Sequence, residues 1–321
     1  MSKGLKHKLK IILPLTLGVF LVWYSYQQTT PQDRKLILQN IREANYFWVV
    51  LSLFAGLLSH FMRAWRWNLM LEPMGYRPRM GNNLMAILIA YLANLGIPRS
   101  GEVFRATTLS SYEKVPFDKG FGTIVAERVI DLGMLLMVVV IAALLQTDVI
   151  LDFFAEKGIN PIYTLLSLLA LGIAGLIGIY FLNRTRIPFL QKIRQFLRGL
   201  LEGLTSIFKM KRKTAFIGYT IGIWALYVGM FWLIKYSIPE TSGLGINEIL
   251  AAFVAGAFAM STTNGGIGVY PLAVSKILVF YGISKASGDA FGWIMWTSQT
   301  LMVVLFGALS FLYLPFYNKS K

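Results

Sequence analysis

The chain of 321 residues contains no cysteine and only two histidines, His7 and His60. Disulfide and thiol chemistry are therefore excluded. A zinc site, which draws on clustered cysteine and histidine, has no ligand set. Charge is scarce too: 14% of residues are Asp, Glu, Lys or Arg, against about 25% in soluble proteins. The scarcer sign is negative, with 15 acidic residues to 31 basic and a net charge of +16. No long stretch lacks an apolar run, which leaves no room for a large soluble domain. No DNA- or RNA-binding module is recognisable, so the basic excess does not point to nucleic acid. No histidine stands near a serine and an acid, and no lysine follows the glycine turns as a nucleotide loop requires. The sequence predicts no cofactor, no metal site and no enzyme.

What is present is apolar sequence, at 56% of residues and a mean hydropathy of +0.59. A helix needs about 20 residues to cross the hydrocarbon core. Six segments meet or approach that length: Ile11–Tyr26, Tyr46–Met62, Phe121–Leu145, Tyr163–Leu182, Phe216–Ile238 and Phe291–Phe316. The first follows Lys3, Lys6, Lys8 and Lys10 as a signal peptide would, but no small-residue cleavage site comes after it. It reads as a retained span. Two further apolar segments, Leu84–Pro98 and Ile249–Pro271, are broken by glycine and proline. Paired interruptions at corresponding places in two halves point to a transport site near the bilayer midplane.

Loop charge sets the orientation. Residues 183–214 carry nine Lys or Arg against Glu202 and are assigned to the cytoplasm. Asp148, Asp152 and Glu156 face only Lys157 in an external loop, and Arg63, Arg66, Arg77 and Arg79 place the end of the second span inside. These assignments agree only if the two broken segments turn back within the membrane, one from each side. The expected fold is thus an all-α polytopic membrane protein with six transmembrane spans and two opposed re-entrant hairpins. It forms one membrane domain over 1–321, with inverted repeats at 1–146 and 162–316. Both termini are cytoplasmic, in the cell membrane of a prokaryote. Within 183–214, Phe189, Ile193, Phe196, Leu197, Leu200, Leu201, Leu204, Ile207 and Phe208 recur at three- and four-residue steps among basic residues. This pattern predicts a basic helix lying in the cytoplasmic interface; a solvated loop is the plainer reading.

Charge inside membrane segments marks candidate sites. Arg99, Glu102 and Arg105 stand at the first break, and Glu127, Arg128 and Asp131 on the third span. Glu102 and Arg105 are three apart, and Glu127 and Asp131 four apart, so each pair shares a helix face. Two readings fit. Arginines grip a phosphate by forked hydrogen bonds while the acids hold them; or the charges form a salt-bridge lattice that ties hairpin to span. Arg63-Ala64-Trp65-Arg66-Trp67 likewise reads as an interfacial anchor with snorkelling arginines, or as a direct headgroup contact. Asn264-Gly265-Gly266 lets the backbone approach an anion, or another helix. Glu127 and Asp131 lack a partner nucleophile or cofactor motif for acid–base work.

The run Gly96-Ile97-Pro98-Arg99-Ser100-Gly101-Glu102-Val103-Phe104-Arg105, then Ala126-Glu127-Arg128-Val129-Ile130-Asp131, resembles the transmembrane region of the lysylphosphatidylglycerol synthases, also called the flippase-like domain family. Arg63-Ala64-Trp65-Arg66-Trp67 and Gly265-Gly266-Ile267-Gly268-Val269 fit the same pattern, and the resemblance covers nearly the whole chain. The family often has proline before the glycine pair and glutamate after the apolar run; here these positions read Asn264 and Pro271. The resemblance implies a lipid translocase domain. In two-domain members it moves aminoacylated phosphatidylglycerol made by a C-terminal cytosolic domain, and this sequence reaches Lys321 without one. The expected partner is an anionic phospholipid or lipid-linked substrate. The alternative is an accessory subunit that binds a polyprenyl- or phospholipid-linked substrate and presents it to a separate glycosyltransferase or synthase.

Overall fold

The computed structural model describes residues 30–97, 99–147 and 211–319, with a few positions between 16 and 27. The expected spans Ile11–Tyr26 and Tyr163–Leu182 and the basic helix at 183–214 lie wholly or largely outside the described residues. The chain forms two compact units, Met1–Ile124 with Lys211–Lys321, and Val125–Met210.

The described residues form helices α1 (Pro31–Arg42), α2 (Tyr46–Leu71), α3 (Met80–Gly96), α4 (Ser100–Glu113), α5 (Phe117–Leu145), α6 (Lys213–Ile234), α7 (Ile246–Ala259), α8 (Val269–Phe280) and α9 (Lys285–Asn318). Among them α2, α5, α6 and α9 are long and apolar enough to cross a bilayer. The protein is a multi-pass, all-helical membrane protein. The order long, short, short, long occurs twice, as α2–α5 and as α6–α9. Hydropathy alone misplaced two ends. Helix α2 runs on to Leu71 rather than stopping at Met62, and α9 starts at Lys285 rather than Phe291. In both places polar residues continue a helix whose apolar stretch has ended.

In the first unit α2 packs antiparallel on α6. The Ser52 hydroxyl donates to the Met230 carbonyl near one end (3.2 Å), and Arg66 donates to Thr220 near the other (3.3 Å). The short helices form two antiparallel pairs. The break between α3 and α4 follows from Pro98, which disfavours helix at the residue before it; Ile97 is extended (φ −123°, ψ 113°) and Arg99 takes a left-handed conformation (φ 64°). Asn94 closes the turn by accepting from the Gly101 amide at 2.8 Å. A side chain at position 101 would sit 2.2 Å from the Ala90 carbonyl oxygen, so only glycine lets α4 lie this close to α3. Between α7 and α8 the chain turns through Gly265, Gly266 and Gly268, all with positive φ, a region that glycine enters without strain. Trp296 of α9 donates its indole N–H to the Gly265 carbonyl (2.8 Å).

Hydrogen bonds locate the open ends of the two pairs. At the α3/α4 pair, Glu113 of α4 accepts from Arg79 (3.1 Å) and from Asn82, and Asn318 of α9 joins both. At the α7/α8 pair, the approach is built by Lys235 donating to the Leu244 carbonyl (2.6 Å), and the exit by Glu240 accepting from the Ser284 amide (2.7 Å) and hydroxyl (2.6 Å). Asn40 of α1 reaches Ser287 there (3.1 Å), and the Asn45 amide reaches the Ser237 carbonyl (2.8 Å). Helix α9 begins in the second cluster and ends in the first. The two short-helix pairs therefore open at opposite ends of α9 and point their breaks inward. They meet there: a side chain at Gly265 would collide with Leu95 at 2.6 Å, near the end of α3.

Candidate functional site

Arg63, Arg66 and Trp67 follow one another at helical steps of three, one and four, and all turn into the first unit. Their exposures are 2%, 0% and 0%, whereas Trp65 is 44% exposed. The anchor reading of this motif thus fails for every member but Trp65. The reason is local: α2 does not end here, and its inner face is covered by α6. The Arg63 guanidinium donates to the Tyr227 hydroxyl (2.9 Å). Arg66 donates to Thr220 and lies 5.9 Å from the Phe216 ring.

Trp67 joins this motif to α4. The Arg105 guanidinium, itself 2% exposed, stacks 3.8 Å over the indole. The indole N–H donates to the Thr123 hydroxyl (2.9 Å), at the start of α5. Three arginines are thereby buried within one set of helices, on two segments that the sequence keeps 38 residues apart (105 less 67). All three have further polar or ring contacts. Burying a guanidinium is costly unless it is paired and hydrogen-bonded, so such a cluster inside membrane helices is a candidate functional site.

Arg99 and Arg105 are not brought together as one phosphate grip. Arg99 is exposed at the turn, while Arg105 lies six residues on, about 9 Å along the helix axis. Glu102 is half-buried on the face it shares with Arg105. In the second unit Glu127 is fully buried and Asp131 is 9% exposed, as their shared helix face predicts, whereas Arg128 is exposed. Gly265 and Gly266 pack tightly: a side chain on Gly266 would lie 2.7 Å from the Met260 sulfur. The Asn264 side chain lies outside the described residues.

Sequence reasoning missed His60, Tyr227 and Gln299. His60 is 5% exposed, and its ring lies 4.6 Å from that of Tyr91 on α3. Its position three residues before Arg63 was the available signal, because that spacing puts both on one face. His60 Nδ1, Gln299 Nε2 and the Trp224 indole N–H are buried without a hydrogen-bond partner among the described residues. Each such atom costs about 1–3 kcal/mol unless something else satisfies it. With Arg63 and Tyr227 they give the interior a set of donors and acceptors that a polar guest can use. Among the described residues no three acidic or histidine side chains are grouped to hold a metal ion.

Residues 11–308 match the family described as "Lysylphosphatidylglycerol synthase TM region". The chain is 23% identical over 287 residues to "UPF0104 membrane protein MJ1595" of Methanocaldococcus jannaschii, covering 85% of this chain and 78% of that one. It is 32% identical over 115 residues to "Glycosyltransferase AglD" of Haloferax volcanii, which covers 36% of this chain but 17% of that protein. No solved structure matches.

Proposed function

The chain belongs to the lysylphosphatidylglycerol synthase transmembrane-region family, and from that premise we propose that it translocates an anionic or headgroup-modified lipid between membrane leaflets without catalysing a reaction. The observation that carries this reading is the burial of Arg63, Arg66 and Arg105 around Trp67, between two helix pairs that open at opposite ends of α9. In the bilayer each pair is a re-entrant hairpin, one reaching in from either side, within a fold of six spans arranged as an inverted repeat. The basic end, carrying Arg77, Arg79 and Arg212, faces the cytoplasm of a prokaryotic cell, and both termini lie there.

In this reading Arg63, Arg66 and Arg105 bind the headgroup phosphate in the interior. Arg99 meets it at the tip of the first hairpin. Glu102 holds Arg105 in place, Glu127 and Asp131 orient Arg128 on α5, and the Asn264-Gly265-Gly266 turn gates the opposite side. The acyl tails stay in lipid.

Reconstituted protein should equilibrate a tagged anionic lipid between leaflets faster than empty vesicles. Arg105→Lys should slow that exchange about tenfold or more, because lysine has neither the planar stack on Trp67 nor the fork. An Arg63→Lys/Arg105→Lys protein that is stable and moves lipid at the full rate would overturn the assignment. The partial match to a glycosyltransferase favours one second reading, an accessory subunit that presents a polyprenyl- or phospholipid-linked substrate. Lipid that binds but moves no faster than in protein-free vesicles selects it.

A further inference from the structure

A cleft of about 520 Å³ opens at the basic end of the α2–α6 seam. Trp65, Asn68, Leu69 and Glu72 of α2 and its extension form one wall, Arg77 and Pro78 the rim, and Arg212 and Tyr219 the facing wall. The geometry points to this cleft as a separate loading site for a phosphodiester headgroup of net negative charge, taken from the leaflet on the Arg77/Arg212 side before the lipid reaches the buried arginines. The inference rests on the translocase reading for its place in the cycle, but the binding it claims is local.

Three features of the cleft favour a lipid phosphate. First, two guanidinium groups from different segments, Arg77 and Arg212, reach one opening. Among the described residues Arg77 is held by Glu72, at 2.9 Å, with side-chain exposures of 82% and 34%. An ion pair this exposed is weak, so an incoming phosphate displaces the carboxylate and gains a forked partner. Lys211 and Lys213 flank Arg212 and add positive potential. Second, an aromatic pair spans the cleft beside the cations. Trp65 and Tyr219 stack with centroids 6.1 Å apart and planes at 17°. Such rings settle at the headgroup level of a bilayer, where they flank the glycerol and upper acyl region. A soluble phosphate has no use for that wall. Third, the cleft adjoins the interior. Trp65 and Tyr219 are the chain neighbours of Arg66 and Thr220, which are bonded to each other across the seam. The cleft and the buried cluster are thus successive stations on one helix interface.

The test uses the full chain in detergent or nanodiscs with a photoactivatable phosphatidylglycerol. Crosslinks are mapped by mass spectrometry. They should fall in peptides covering 65–78 and 212–219, and unlabelled phosphatidylglycerol should compete. Phosphatidylcholine should not compete at the same concentration, and neither should glycerol phosphate. Arg77→Gln/Arg212→Gln should cut this crosslinking about tenfold, the loss expected when a charge-assisted contact is removed. Trp65→Ala should weaken competition by the lipid while leaving any binding of glycerol phosphate unchanged. Crosslinks that are unaffected by the double substitution, or phosphatidylcholine competing equally, would overturn the site. Equal competition by glycerol phosphate would overturn the lipid as its source. If cleft crosslinking behaves as expected but no lipid moves between leaflets, the loading site stands and the translocase reading falls. If lipid moves at the full rate in the double variant and the crosslinks are unchanged, the translocase reading stands and the cleft falls.

Discussion

At the scale of single residues, the side chains at one end of the first unit set a pH dependence. The Ser284 side chain and then Ser287 hydrogen-bond to Glu240 and hold its carboxyl below the ordinary 4.5, against a smaller opposing effect of burial. A carboxylate whose pKa is depressed by folding stabilises the fold at all pH above its unfolded value. That contribution shrinks as pH drops below 4.5 and is gone below the depressed value. Glu240→Gln should therefore lower the thermal midpoint at neutral pH, with the gap to the natural protein closing in acid. A gap that does not narrow as the pH falls would show that the carboxylate charge is not responsible. The sequence hid this contact because Glu240 and Ser284 belong to separate loops with no shared pattern. Arg63 and Arg66 were visible as candidates but not as buried ones. A basic-aromatic run beside an apolar segment has the composition of an interfacial belt, and only the α6 face that covers it reverses that meaning. His60 was passed over because its spacing to Arg63 gains meaning only once that arginine is known to be buried.

At the scale of elements, the broken segments were the most legible part of the sequence. Pro98 and the Gly265-Gly266-Gly268 run are local signals with local consequences, and the structure breaks its helices at both. What the sequence does not show is how close the arms approach. Gly101 sits on the Ala90 carbonyl, and Gly292 of α9 would meet Pro271 of α8 at 2.7 Å if it carried a side chain. Gly101→Ala should cost about 1–3 kcal/mol, the range for overpacking a tight contact, because the opposing atom is backbone and cannot swing aside. Gly122→Ala is the control. Among the described residues nothing lies within 4 Å of a side chain placed there, so the change should be neutral or gain up to about 1 kcal/mol of helix propensity. Thermal unfolding of both variants in the same detergent decides the matter; equal midpoints would mean that the α3–α4 contact is looser than described.

At the scale of the whole molecule, the proposed topology puts the two ends of the first unit on opposite sides of the membrane. It predicts that the end with Asn45, Ser237, Glu240 and Ser284 lies outside, and the end with Arg77, Arg79, Glu113 and Arg212 inside. The chain's lack of cysteine makes labelling clean. Ser242→Cys should react with an impermeant reagent on intact cells, and Tyr76→Cys only after permeabilisation. Reaction of both from one side would remove the opposed hairpins. If the two short-helix pairs re-enter the membrane from opposite sides, the contact between Leu95 and Gly265, where their breaks meet, has an electrical consequence. Irregular backbone at membrane depth persists only where protein covers it or water reaches it. Water following each pair inward would bring the conducting phase close to this contact from both sides. The membrane voltage would then drop across a layer about one side chain thick rather than across the full hydrocarbon core of about 30 Å. Arg99, exposed at the break between α3 and α4, would carry its charge at the rim of that layer. A shift of the break through the layer would move that charge through the field, and a full crossing would exchange about 2.3 kcal/mol with each 100 mV. On that reading the resting potential of the cell would enter the energy balance of any such shift.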